Sequence, residues 1–164
     1  MRLLQSSLTA LTIGAAAVAL AGCSLLPGGN GGNPSGGETP AADGETVDVF
    51  TVKVGDCLND GGVEGEVSET VVIDCAEPHD SEAYASIMIE DGDFPGDDVV
   101  ADRAVTECTT EFNAFVGLDY QASSLDFAYY YPTQDSWANG DREILCLIVD
   151  PAGKVEGSLQ GAAR

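Results

Sequence analysis

The side chains able to carry chemistry are few. His79 is the only histidine, with Asp80 beside it and Glu82 three residues on. That grouping could share a cation or a proton. A stable zinc site draws on about four nitrogen or sulfur donors, and one imidazole falls short of that. Any Ser-His-Asp or Cys-His scheme must use the same ring, so hydrolysis has weak support. The simpler expectation is local: His79 hydrogen-bonds nearby and fixes the turn after Pro78. Trp137, followed by Gly140 and Arg142, offers two readings. Exposed, the indole and guanidinium would grip a sugar or a carboxylate. Buried, Trp137 caps the core while Arg142 stacks on it or pairs with an acid. The loop DGDFPGDD (91–98) partly imitates a calcium loop, with Asp91, Asp93 and Gly96 at positions 1, 3 and 6. Pro95 spoils position 5 and Asp102 replaces the glutamate of position 12, so a solvated acidic loop is expected. With 28 acidic residues in the chain, paired carboxylates arise by accident and single out no acid–base couple. No metal site, cofactor or catalytic residue is expected.

The elements that must position these groups follow from periodicity. Residues 99–116 carry the clearest helical pattern, in an element expected to run from about 97 to 116. Ala101, Ala104, Val105, Cys108, Phe112 and Phe115 share one face at 3.6-residue spacing. Asp97 suits the N-cap, Asp98 the positive end of the dipole, and Gly117 the left-handed stop. Strands are expected over 47–54, 67–75, 83–89 and 125–131, and at an edge over 155–159. ILCLIV (144–149) reads as a central strand buried on both faces. Pro132 ends the strand before it, residues 133–140 form a turn or short helix, and Asp150-Pro151-Ala152-Gly153 has type I turn chemistry. The class is α+β, a mainly antiparallel sheet with one principal helix.

Beyond Cys23 stand Cys57, Cys75, Cys108 and Cys146, with no CxxC among them. An even count in an exported domain suggests two disulfides. Of the three possible pairings, packing the helix on the buried strand could join Cys108 to Cys146, and Cys57 would then pair with Cys75. That choice carries a tension. If 47–54 and 67–75 formed a tight hairpin, Cys57 and Cys75 would sit at opposite ends. Either the connection wraps or those strands do not pair directly.

The chain has 164 residues, 28 acidic against 6 basic, for a formal charge of -22. This is room for one ordinary domain. So acidic a chain lacks the clustered Lys and Arg that phosphate binding needs, so no nucleic-acid partner is expected. The first 22 residues read as an export signal. Arg2 is the only charge before Glu38, and LTALTIGAAAVALA (8–21) is short for a membrane span. Leu20-Ala21-Gly22-Cys23 resembles the lipobox of bacterial lipoproteins. That resemblance implies cleavage before Cys23 and a diacylglycerol on its thiol, anchoring the chain to the cell membrane on the extracytoplasmic face. Residues 23–46 hold seven Gly and three Pro and read as a flexible tether. Residues 47–164 form the folded domain.

That domain resembles the septum-formation family of actinobacterial exported and membrane proteins. The resemblance rests on Gly55-Asp56-Cys57, CAEPHDSE (75–82), Cys108, Phe112, Val116-Gly117, PTQDSWANGDREILC (132–146) and Gly157-Ser158-Leu159. It implies a link to division or the cell envelope and names no chemistry. The expectation is a noncatalytic envelope lipoprotein whose domain meets a protein or wall component, possible binding residues being His79, Glu82, Trp137 and Arg142. The alternative is a solute- or metal-binding extracytoplasmic receptor using His79, Glu82 or Trp137.

Overall fold

The computed structural model describes residues 44–61 and 65–164. The segment expected to be an export signal, Cys23 and most of the expected tether lie outside them. Six antiparallel strands form one curled sheet: β1 (Glu45–Asp48), β2 (Cys57–Leu58), β3 (Glu69–Ile73), β4 (Ser81–Met88), β5 (Asp126–Tyr130) and β6 (Glu143–Val149). Their order across the sheet is β1-β3-β2-β4-β6-β5. The principal helix α1 (Asp97–Val116) packs on one face, and a short helix α2 (Gln134–Ala138) precedes β6. The α+β expectation stands, with the sheet as the larger part. The sheet takes up Glu45 and Thr46, two residues earlier than the domain boundary read from composition.

β6 is the buried centre. Its five interior residues are all buried, and successive side chains serve opposite faces. Ile144, Cys146 and Ile148 join Val100, Ala104, Cys108, Phe112 and Val116 in the helix-side core. Leu145 and Leu147 join Val52, Leu58 and Ala83 on the other side. A register shift between Ala83 and Ala85 in β4 lets Tyr84 and Ala85 both face the helix. Tyr84 meets Phe112 edge-on and donates its hydroxyl hydrogen to the Cys108 carbonyl at 2.7 Å.

The buried stripe of α1 falls at every fourth residue from Val100 to Val116. This shifts the expected face: Ala101 is only partly buried and Val105 is 45% exposed. Strict i+4 spacing follows the inclined ridge that packs on a twisted sheet, and the sequence window could not fix that inclination. The N-cap is Gly96, at φ 103°, rather than Asp97, which lies inside the first turn with Asp98. Gly117 ends the helix at φ 80° as expected. The final residues close over that end, where Gly161 and Ala163 donate to the carbonyls of Phe115 and Val116.

Two expected strands differ. The 47–54 stretch breaks after Asp48, whose carboxylate accepts from the Phe50 amide while its carbonyl accepts from the Thr51 hydroxyl, forming a 3-10 turn at Val49–Thr51. The chain then returns as β2 on the other side of β3, with Cys57 opposite Ile73. This wrap resolves the cysteine tension, since β1 pairs with β3 and Cys57 still lies near Cys75. Residues 155–159 form no edge strand. A single bridge joins Val155 to His79, and Gly157 at φ 80° turns the chain away.

Candidate functional site

Cys57–Cys75 and Cys108–Cys146 are the two disulfides, with Cα separations of 5.2 and 5.6 Å. The second joins α1 to β6 inside the core, where both residues are fully buried. Cys75 opens the segment carrying His79 and Glu82.

That segment meets the C-terminal arm in a closed corner. His79 and Val155 exchange backbone hydrogen bonds of 2.9 and 3.0 Å, and the Gly157 amide donates to the Cys75 carbonyl. The His79 side chain is fully buried. Its Nδ1 lies 2.9 Å from the Glu77 carbonyl, to which it can donate, and Nε2 is buried without a hydrogen-bond partner. Asp80 accepts from the Gly61 amide and pairs with Lys154 at 3.4 Å. Glu82, 3% exposed, sits opposite Cys57 on one side and Ile148 on the other. One carboxylate oxygen accepts from the Ser158 hydroxyl at 2.6 Å, the other from the Leu159 amide at 2.8 Å. His79 and Glu82 thus face separate partners, and both hold the chain's last turn against the sheet.

Trp137 and Arg142 build a second corner. Thr133 caps α2 through a reciprocal capping box with Ser136, and the helix delivers Trp137 to the interior. Its indole N–H donates to the Gly92 carbonyl at 3.0 Å, and Phe94 packs 5.6 Å away. The Arg142 guanidinium carbon stands 3.8 Å over the indole. Arg142 donates to the carbonyls of Trp137 and Asp141 at 2.8 and 2.6 Å and pairs with Asp91 at 3.1 Å. This is the buried alternative of the two read from sequence, with the acid now named. The calcium-like loop is instead the wall of this corner.

The wall bounds a half-open groove of about 300 Å³, lined by Ile89, Glu90, Asp91, Asp93, Val99 and Trp137 among others. Sequence patterning did not find it, because it is assembled from the β4–α1 loop, the start of α1 and α2. Only the exposed Val99, 56% accessible on an otherwise acidic first turn, hints at it locally.

Two tyrosines on the inner surfaces are held as donors. Burial pushes the Tyr84 phenol well above its ordinary range, with Glu111 adding to the effect. Burial does the same to Tyr130, whose hydroxyl donates to Asp60 at 3.0 Å. A phenol so raised stays protonated throughout the physiological range and serves as a fixed hydrogen-bond donor.

Compared with known protein families, residues 22–162 match the family described as Septum formation. The chain belongs to the septum-formation family. The match takes in Cys23, the tether, both disulfides and both corners. No curated protein and no solved structure matches the chain. Among the described residues, no group of three or more His, Cys, Asp and Glu side chains is placed to hold a metal ion. No helix among them is long and apolar enough to cross a membrane.

Proposed function

We propose that this septum-formation protein is a noncatalytic envelope lipoprotein. Cys23 carries the lipid, residues 24–44 act as spacer, and the disulfide-stapled domain presents a rigid surface to a protein or wall component during septum formation. The observation that supports this reading best is the employment of the chain's rare reactive groups. The sole imidazole is buried in a backbone bridge, the buried Glu82 carboxylate holds Ser158 and Leu159, and four of the five cysteines are disulfide-bonded. The family description supports the link to septation.

Fractionation with in-cell cross-linking tests it. The native chain should sediment with membranes, carry a diacylglycerol mass on Cys23 and cross-link to a septal or wall component, whereas Cys23→Ser should leave the membrane fraction. Tight association of Cys23→Ser would indicate an uncleaved anchor, and cross-links free of septal or wall material would remove the division link. The groove beside Trp137 is the observation that favours the alternative, a solute-binding receptor.

A further inference from the structure

The groove between the β4–α1 loop, the first turns of α1 and Trp137 has two features that belong together. Part of its lining is apolar: Ile89, the exposed Val99, Val100 and Trp137. The rest is largely acidic, with Glu90, Asp91 and Asp93 all exposed. Arg103, the one cationic lining residue, donates from one Nη to the Met88 carbonyl at 3.4 Å and lies 3.8 Å from Glu107, while its Nε is buried without a hydrogen-bond partner.

The wall is also braced. Trp137 holds Gly92, Arg142 holds Asp91, Phe94 packs on the indole, and the Ile89 amide donates to the Arg142 carbonyl at 2.8 Å. A loop merely kept soluble by its acids needs none of these ties. A preformed surface loses less entropy on binding than a loose one.

Apolar side chains and exposed carboxylates lining one groove suit a side chain with a long hydrocarbon stem and a cationic head. We propose that this groove docks a lysine- or arginine-bearing extended segment of a partner protein. The stem would lie along Val99 and the Trp137 edge, and the head would face Glu90 and Asp93. This deepens the interaction-domain reading and rests on it.

Trp137 is the chain's only tryptophan, so tryptophan emission comes from this corner of the molecule. The full chain would be titrated with an acetylated Lys-Leu-Lys-Leu-Lys-Leu amide, and with the same peptide carrying Gln or Glu for Lys. The expected result is a saturable change with the lysine peptide only, weakened about fivefold in Glu90→Gln/Asp93→Asn and weakened by added salt. Both acidic residues are exposed, so circular dichroism and melting of that variant should match the parent. Equal binding of the Gln peptide, no response to the lysine peptide, or a calcium-induced change that blocks the peptide would each overturn the proposal.

In growing cells, a photo-cross-linking residue would replace Val99, and in parallel Thr110, eleven residues along α1. Cross-links from position 99 that map to a basic segment support the groove. Cross-links from position 110 alone leave the interaction reading standing and remove the groove; none from either position removes both.

Discussion

The corner around Glu82 and the corner around Trp137 use similar materials toward opposite ends. Each contains a buried side chain hydrogen-bonded to the backbone of a distant segment: Glu82 reaches Leu159, and Trp137 reaches Gly92. At Glu82 the held segment folds inward, and Leu159 joins the helix-side core. At Trp137 the held segment faces outward and carries Asp91, Asp93 and Glu90 at the surface. The same device closes the molecule in one place and shapes an exposed wall in the other. Burial of a polar group therefore says little about function until the direction of its partner is known.

The sharpest way to break this comparison is to remove the Glu82 carboxylate. Glu82→Ala leaves the Ser158 hydroxyl and the Leu159 amide without their acceptor. Hydrogen bonds to a charged group contribute about 1.5–3 kcal/mol each, and part of that is offset because a buried charge is also removed. A loss of about 3 kcal/mol is expected in urea unfolding, together with faster proteolysis within 156–164. Glu82→Gln keeps one acceptor and should lose about half as much. If Glu82→Ala melts like the parent, the corner is closed by Leu159 burial and the backbone bridge at His79 instead.

Arg142→Ala tests the outward corner. It removes the stacking on Trp137, the donors to two carbonyls and the pairing with Asp91. Exposed cation–π contacts contribute about 0.5–1 kcal/mol and more when desolvated, so a total near 2 kcal/mol is expected. The distinguishing readout is Trp137 emission, which should change in the folded state as Gly92 and its loop loosen. Arg142→Lys should restore the charge without the planar stack and recover only part of the effect. A stability loss with native emission unchanged would make Arg142 a general core residue and detach it from the groove wall.

The legible parts of this molecule are those set by local pattern. ILCLIV announced a strand buried on both faces because consecutive positions were all apolar, and Gly117 announced the end of α1 because a left-handed residue was needed there. Packing those two elements together pointed to the pairing of Cys108 with Cys146. The wrap from β1 through the turn at Asp48 to β2 was hidden, because VDVFTVKV alternates correctly and the side chain that breaks it is a single aspartate bonding its own backbone. The role of Glu82 was hidden for a different reason. Its partners lie 76 and 77 residues away, a separation that no spacing rule reads. The groove was legible only in pieces: Trp137 and the 91–98 loop stood out separately, and nothing in their spacing joins them to Ile89 and Val99 until three elements meet.

Within the closed corner, the last anchor is the weakest, and it separates buried from surface holding. Asp150 accepts from the Ala152 amide in its own turn and from Arg164 at the chain's end, both at 2.8 Å. The Ala152 amide first, then Arg164, holds its carboxyl below the usual range. The folded state therefore binds this proton more weakly than the unfolded chain. The stabilisation is complete above the ordinary carboxylate value of about 3.9 and fades as pH falls through that value toward the lower folded one. Asp150→Asn keeps an acceptor for Ala152 but removes the charge, so a cost of about 0.5 kcal/mol is expected at pH 7, typical of a solvent-screened pair. The difference in melting temperature between the parent and Asp150→Asn should narrow steadily as pH is lowered from 5 to 3, and added salt should narrow it at pH 7. A gap unaffected by pH would show that the tail is held by the Glu82 corner and the turn geometry, with Arg164 contributing nothing measurable to stability.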